Sequence, residues 1–240
     1  MSFRTVSALS AIVVATSAFS TANAALITTD PTGLVDGPTS TLVEARSRLD
    51  GGASQTWKTA LITSGNTLNA TGGNTTPATN PWQNNVAADF SFSYDNTNGL
   101  ATLIVDWGTR LETAQATILP GAGNSLVGFR FEARSEANSF SILDNIAVSV
   151  NGAPATLPIT SQSAIGSAFT QSSDFFFTDA FTLDSFAVTG TALFNWDAGA
   201  NLQGDRFRVN TRLLQGVAIP APGAVALAGI AGLGLTRRRR

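Results

Sequence analysis

The sequence predicts an all-β protein, an antiparallel β-sandwich of jelly-roll-like topology with roughly eight to ten short strands. Apolar and polar residues alternate at period 2 in several segments, and clusters of turn residues separate these segments. The composition agrees, with 22 Gly, 15 Phe, abundant Thr, Ser, Asn and Val, and a single Lys and Met. Strand-forming and turn-forming residues therefore dominate the body of the chain.

The clearest strand signal lies between Asp89 and Asp106. Aromatic residues first alternate with serines, the segment Asp95–Gly99 then supplies turn residues, and an apolar run follows. Alternation that continues after a glycine-containing turn is typical of a β-hairpin.

Other runs of strand length predict the remaining strands. In one of them Val127, Phe129 and Phe131 are expected to point to one side while Arg130 and Glu132 point to the other, which indicates a sheet with one buried and one solvated face. The segment 63–85 is rich in Asn, Thr and Gly and is predicted to be a surface loop. The predicted strands are Leu42–Leu49, Trp57–Thr63, Gln115–Leu119, Leu126–Ala133, Ser139–Val150, Phe175–Leu183, Phe186–Trp196 and Phe207–Leu214.

The absence of Cys and His excludes the commonest catalytic groups. Without them the chain has no disulfide, no thiolate nucleophile, no Ser-His-Asp arrangement and no imidazole-bound zinc. We therefore expect no enzyme. A glycoside hydrolase that relies on carboxylates alone is the remote alternative. Its candidate residues are Asp89, Asp106, Glu112, Glu132 and Glu136.

The charge of the chain is unevenly distributed. Five of the 14 basic residues lie at the two ends, whereas all 16 acidic residues lie between Asp30 and Asp205. The middle of the chain thus has nine basic and 16 acidic residues, a net charge of −7. Because a phosphate backbone requires clustered cations, we expect no nucleic-acid partner.

The N-terminal segment predicts an export signal. Arg4 precedes an apolar stretch from Val6 to Phe19, and Ala22 and Ala24 flank Asn23 as the small residues of a cleavage site. Residues 1–24 are therefore expected to be a signal peptide that signal peptidase removes. Residues 25–216 then form the extracellular β-sandwich domain.

The C-terminal segment, residues 217–240, has three parts. Pro220, Ala221 and Pro222 precede an apolar run from 224 to 235, which as a helix is only about 18 Å long. The cluster Arg237, Arg238, Arg239 and Arg240 follows. Cations are retained on the cytoplasmic side of a membrane, so the tail is expected to halt export transiently with the arginines inside.

This order of proline motif, apolar helix and arginine cluster resembles the PEP-CTERM sorting signal, with Ala221 in place of that family's usual central glutamate. The resemblance implies an exported protein of a Gram-negative bacterium that crosses the inner membrane and is processed by an exosortase. It also implies a final location in the cell envelope, on the outer surface or in the extracellular matrix, where extracellular polysaccharide is the expected partner.

The body is also similar to the choice-of-anchor domains that accompany such signals. The similarity lies in Phe90–Asp95 with Leu100–Leu103, and in Leu143–Ile146 with Val150–Gly152. The resemblance implies no catalytic residues, and it agrees with a non-catalytic envelope or matrix protein.

A surface carbohydrate-binding module is the alternative function. Exposed tryptophans stack on sugar rings, and Trp82, within the predicted polar loop, is the candidate. Trp107 and Trp196 follow or precede aspartates at predicted strand ends and are assigned to the rim of the core.

No cofactor is expected, although a structural calcium ion is an alternative for three loop clusters. Asp and Asn side chains supply the oxygen ligands that calcium prefers, but they also cap turns without any metal. The clusters are Asp95 with Asn96 and Asn98, Asp144 with Asn145, and Asp197 with Asn201 and Asp205.

Overall fold

The computed structural model of the chain describes residues 27–50, 55–63, 66–75, 80–136, 138–166, 169–178, 183–197 and 207–219. This part contains strands and no helix, so the all-β prediction is confirmed, and nothing in it resembles a membrane-spanning helix. The strands are β1 Ile27–Thr28, β2 Val35–Asp50, β3 Gln55–Thr63, β4 Asn66–Thr75, β5 Ala88–Asp95, β6 Leu100–Asp106, β7 Leu111–Thr117, β8 Ser125–Ser135, β9 Ser139–Val150, β10 Ala153–Ala155, β11 Gln162–Ile165, β12 Phe169–Phe177, β13 Ser185–Trp196 and β14 Phe207–Ala218.

The strands form two antiparallel sheets. Sheet I has the order β1-β12-β8-β14-β2-β3-β4, and sheet II has the order β10-β9-β13-β5-β6-β7, with β11 also paired to β9. The connections β8–β9, β12–β13 and β13–β14 each pass from one sheet to the other. Strands that are distant in sequence therefore become neighbours in both sheets.

Most of the predicted strands are present, with shifts at some ends. The hairpin forms as β5 and β6, and β8, β9, β13 and β14 cover their predicted ranges. Strand β2 begins seven residues before the predicted Leu42, and β7 begins four residues before the predicted Gln115. Strand β12 begins six residues before the predicted Phe175 and overlaps that prediction only as far as Phe177. The predicted number of eight to ten strands is too low, since the described residues form fourteen. Turn signals place the middle of a strand better than its ends.

The predicted surface loop at 63–85 is wrong over nearly half of its length, because Asn66–Thr75 forms the edge strand β4 on β3. Gly72 allows this polar segment to pair closely with β3. A Cβ atom at Gly72 would lie 2.4 Å from the carbonyl oxygen of Trp57, so only a residue without a side chain fits there. The polar residues of β4 are largely exposed, as expected of an edge strand.

Both sheets contribute to one hydrophobic core. The Phe129 ring lies 5.2 Å from that of Phe175 within sheet I and 4.9 Å from that of Phe186 on sheet II. All three rings are buried. Because the chain has no disulfide, contacts of this kind supply its stability.

A small apolar cluster lies apart from this core at the end of sheet I where the described chain finishes. Val127, Phe176, Leu214 and Ala218 are buried together there. The backbone N–H of Ile219 donates to the carbonyl of Leu34 at 2.9 Å. The end of β14 is thus held against the start of β2.

Candidate anion-binding face

The outer face of sheet I has charged side chains at matched positions of five neighbouring strands. Along the stretches 43–48, 128–134 and 207–212 the even-numbered residues point away from the core, while odd-numbered neighbours such as Phe129, Val43 and Val209 are buried in it. The alternation changes beside the end of β14, where Leu126 belongs to the core and Val127, predicted on the side of Phe129, packs in the separate apolar cluster instead. The strand register aligns the polar residues in three rows: the first has Asp174, Arg130, Arg212 and Glu44; the second has Glu132, Asn210 and Arg46; the third has Arg134, Arg208, Arg48 and Lys58. We call these three rows the cationic face.

The cationic face collects almost all of the positive charge that the structure describes. It contains seven of the eight described Lys and Arg side chains and three of the 13 described carboxylates, a net charge of +4. The remaining described side chains include Arg110 and ten carboxylates, a net charge of −9. An acidic body therefore has one basic face.

Glu132 lies at the centre of the face and is almost completely buried. One carboxylate oxygen accepts from Arg208 and, at 3.0 Å, from the Asn210 amide, and the other lies 3.1 Å from Nη2 of Arg212. A buried carboxylate requires such compensation, because removal from water penalises its charge.

Three further ion pairs involve the carboxylates of the first row. Arg212 also contacts Glu44, with Nε 3.3 Å from Oε2, and Arg46 donates to the other oxygen of Glu44 at 2.6 Å. At the other end of the row Arg130 donates two parallel hydrogen bonds to the Asp174 carboxylate, and the Nη2–Oδ2 distance is 2.7 Å. The hydrogen bond to Asp174 raises the pKa of Arg130, so the guanidinium stays charged.

The third row differs from the other two because it has no described carboxylate of its own, although its Arg208 pairs with Glu132 of the second row. Neighbouring strands are about 4.8 Å apart, so four such positions cover about 14 Å across the sheet. The Nε atom of Arg134 is buried and has no hydrogen-bond partner. Lys58 makes a long contact of 3.4 Å with the Thr67 hydroxyl on the edge strand. Positive charge therefore exceeds negative charge along this row.

The alternation pattern contained a signal for this face that the sequence analysis did not use. Basic residues recur at even spacing in β2, β8 and β14, at 46 and 48, 130 and 134, and 208 and 212. Even spacing along a strand places side chains on one face. Which strands are neighbours, however, follows only from the sheet order.

The structure brings together two of the five carboxylates considered for catalysis. Asp89 and Asp106 are opposite each other on β5 and β6, beside a surface depression of about 390 Å³. Asp106 accepts from the Gly108 N–H at 2.7 Å, as a turn-capping aspartate does. Glu112 instead pairs with Arg110 at 2.7 Å. Glu132 lies in the cationic face, and Glu136 is buried where β8 ends.

The prediction that Trp82 is an exposed sugar-stacking residue is wrong. Trp82 is 1% exposed, with its ring centroid 5.2 Å from that of Trp107 and 4.2 Å from that of Phe194. A backbone hydrogen bond connects the segment after Trp82 to strand β13: the Asn85 N–H donates to the Phe194 carbonyl at 2.9 Å. A ring enclosed in this way has no free face for a sugar.

The assignment of Trp107 and Trp196 to the rim of the core is confirmed. Trp107 is buried against Trp57 and Trp82, and Trp196 is half-buried with its ring 5.8 Å from that of Phe207. Aromatic burial of this extent stabilises a fold strongly.

The first of the loop clusters considered for calcium caps a turn. Asp95 accepts from the Thr97 N–H and the Asn98 amide, both at 2.8 Å, while Asn96 donates to the Leu183 carbonyl. Asn145 has a φ of 52°, a left-handed conformation that asparagine tolerates in turns. Within the described residues no three acidic groups converge as a metal site. Asn201 and Asp205 of the third cluster lie outside the described residues.

The residues predicted to direct export and sorting also lie outside the described residues. They are Ala22, Ala24, Pro220, Ala221, Pro222, the apolar run 224–235 and the arginines from Arg237 to Arg240. Their assignment remains a prediction from the sequence.

Comparison with known protein families found no family model that matches this chain, and comparison with curated proteins found no significant match.

Proposed function

We propose that the chain is a non-catalytic exported protein of the envelope or extracellular matrix of a Gram-negative bacterium. Signal peptidase acts after Ala24, and an exosortase recognises the C-terminal signal. Residues 25–216 form a β-sandwich domain of jelly-roll-like topology between these two signals. The observation that carries the proposal is the order of Pro-x-Pro, apolar run and arginine cluster. This order begins at Pro220, two residues after Ala218, where the last described strand, β14, ends.

The physical basis of sorting is the combination of a short apolar helix with a charge barrier. The run from 224 to 235 is too short to span a hydrocarbon layer of about 30 Å comfortably. Each arginine costs on the order of 2.5–3.5 kcal/mol at the centre of a membrane helix, so four in succession oppose translocation strongly. The tail therefore pauses in the membrane for the time that processing requires.

The test replaces Arg237–Arg240 by four Ser residues and, as a matched control, by four Lys residues. We expect the Ser variant to be exported without normal processing, because the barrier is lost. The Lys variant should be retained and processed like the original chain, because it keeps the charge. Cell fractionation with intact-mass measurement separates these outcomes. Identical processing of the Ser variant and the original chain would contradict the proposal.

A second variant tests the proline motif separately. Replacement of both Pro220 and Pro222 by Ala leaves the apolar run and the arginines unchanged. We expect an unprocessed precursor that stays with the membrane fraction. Normal processing of this double variant would show that the motif does not direct cleavage.

A further inference from the structure

We propose that the last residues of the body, Val217, Ala218 and Ile219, form a clasp that keeps the exosortase away from the processing motif. Processing then requires this end of the body to open from β2. The inference rests on the proposed function and deepens it, because it names the structural step that controls when processing occurs.

The clasp lies directly beside the processing motif. The Ile219 N–H donates to the Leu34 carbonyl at 2.9 Å, and the motif begins at the next residue, Pro220. The apolar run begins at residue 224, so four residues separate it from the clasp. Four residues extend over at most about 14 Å. The folded body and the membrane therefore lie close to the motif on either side.

The residues before the motif are already paired within the body. Val217 is paired with Asp36 and Ala218 with Val35, on strand β2. An enzyme that binds a peptide in extended form needs main-chain groups that are free to pair with the enzyme. An exosortase at the motif therefore competes with β2 for the same stretch of chain. Under such competition the rate of cleavage follows the population of the open form.

The pairing of the clasp is separate from that of the rest of β14. On the side of β8 the pairing ends where Gly216 meets Ser125, so among the described strands residues 217–219 pair only on the side of β2. On that side the register shifts between Gln215 and Val217, which interrupts the ladder next to the clasp. The clasp can therefore open while the preceding residues of β14 stay paired.

Few side-chain contacts hold the clasp closed. Of its three side chains only the small one of Ala218 is buried, in the apolar cluster at the end of sheet I. Val217 is 47% exposed and Ile219 is 39% exposed. Strand ends with so little burial open far more often than the whole domain unfolds. Processing is therefore delayed by the clasp but not prevented.

The clasp makes processing depend on the folded state of the body. It joins β2, near the start of the body, to β14, at its end, so it exists only after these two strands have paired. A folded body therefore stays in the membrane longer than a body whose two ends are apart.

Two variants of the full chain test the clasp in Gram-negative cells that contain an exosortase. Insertion of Gly-Ser-Gly-Ser between Ile219 and Pro220 leaves the clasp intact and moves the motif away from it. This insertion should speed processing at least about threefold. The second variant, Val35→Cys combined with Ala218→Cys, locks the clasp with a disulfide. It should slow processing at least about tenfold until a reductant opens the bond.

The geometry permits this disulfide. The Cα atoms of paired residues in antiparallel strands are about 4.5–5.5 Å apart, within the range of about 4.4–6.8 Å that disulfides require. The chain has no Cys of its own, so no other disulfide competes. Intact-mass measurement without reductant verifies the bond, and pulse labelling of the cells measures the processing rate.

Thr102→Cys combined with Gln115→Cys is the matched control. This disulfide connects β6 to β7 on sheet II, away from the clasp, and should leave the processing rate unchanged. Equal slowing by the two disulfides would overturn the inference. So would processing of the locked variant at the original rate, or an insertion variant that is processed no faster than the original chain.

Hydrogen exchange of the purified full chain in detergent tests the clasp without an exosortase. We expect the Ile219 amide to exchange at least about tenfold faster than those of Val209 and Leu213, yet slower than in an unfolded chain. The locked variant should lose most of this difference. Exchange of Ile219 only together with the middle of β14, or as fast as in an unfolded chain, would overturn the inference. Absence of processing in the original chain would instead contradict the proposed function, and hydrogen exchange would still decide whether the clasp opens.

Discussion

Replacement of Glu132 by Gln tests whether the ion pairs of the cationic face stabilise the fold. The change keeps the size of the side chain and removes only its charge. The side chain is 5% exposed and lies between Arg208, 13% exposed, and Arg212, 21% exposed. Both arginines would lose a buried counter-ion.

The expected cost follows from this burial. Removal of one partner of a buried ion pair typically costs about 3–5 kcal/mol. The lower end applies here, since Arg212 retains Glu44 at 3.3 Å and Asn210 can still donate to a glutamine oxygen. We therefore expect the free energy of unfolding to fall by about 3 kcal/mol. With a urea m-value near 2 kcal/mol/M, the midpoint would fall by about 1.5 M.

Asp174→Asn provides the control on the same sheet. Its pair with Arg130 is similar in geometry, but the Asp174 side chain is 34% exposed, so solvent screens the interaction. Exposed pairs contribute about 0–1 kcal/mol, and the control should stay within that range. Urea titration followed by tryptophan fluorescence measures both variants. Equal destabilisation by the two changes, or a loss below about 1 kcal/mol for Glu132→Gln, would refute the reasoning from burial.

Four further predictions concern the core, the backbone, pH and export. Trp82→Ala should lower the free energy of unfolding by about 3–5 kcal/mol, measured by urea titration, because a buried aromatic ring leaves a cavity; a stable variant would contradict its burial. Gly128→Ala should lower the melting temperature clearly, since a Cβ atom there would lie 2.2 Å from the Phe175 carbonyl oxygen; an unchanged melting temperature would contradict this contact. Burial, followed by the charge of Asp95, raises the pKa of Tyr94 to about 12, and its hydroxyl donates to a carbonyl at 2.8 Å. Because the folded pKa is above the unfolded value of about 10, protonated Tyr94 stabilises the fold fully below pH 10, and this contribution is lost as the pH rises towards 12. Absorbance titration of this single tyrosine measures the pKa, and a value near 10 would contradict the prediction. The N-terminus of the exported protein should be Ala25, and N-terminal sequencing that returned Met1 would contradict the signal peptide.

The local features of the fold were predictable because they depend on residues close together in the sequence. The hairpin of β5 and β6 needs only alternation and a turn, and the full length of β9 was evident in the same way. Strand β4 was missed because its Asn and Gly residues indicate turns and outweigh the strand preference of its Thr residues. It forms because the edge of β3 accepts it and Gly72 allows close approach.

The sequence by itself determined the fold class, the absence of thiol and imidazole chemistry, the signals expected at the two ends, and the sides of β8 on which Phe129 and Arg130 lie. Alternation and composition are local properties, so no knowledge of the partner strands was needed. Only the tertiary structure decided that Trp82 is buried and that basic residues of β2, β3, β8 and β14 form one row. The physical reason is that pairing partners and register depend on how the whole core packs, so residues as far apart as Arg48 and Arg208 become neighbours only in the folded sheet.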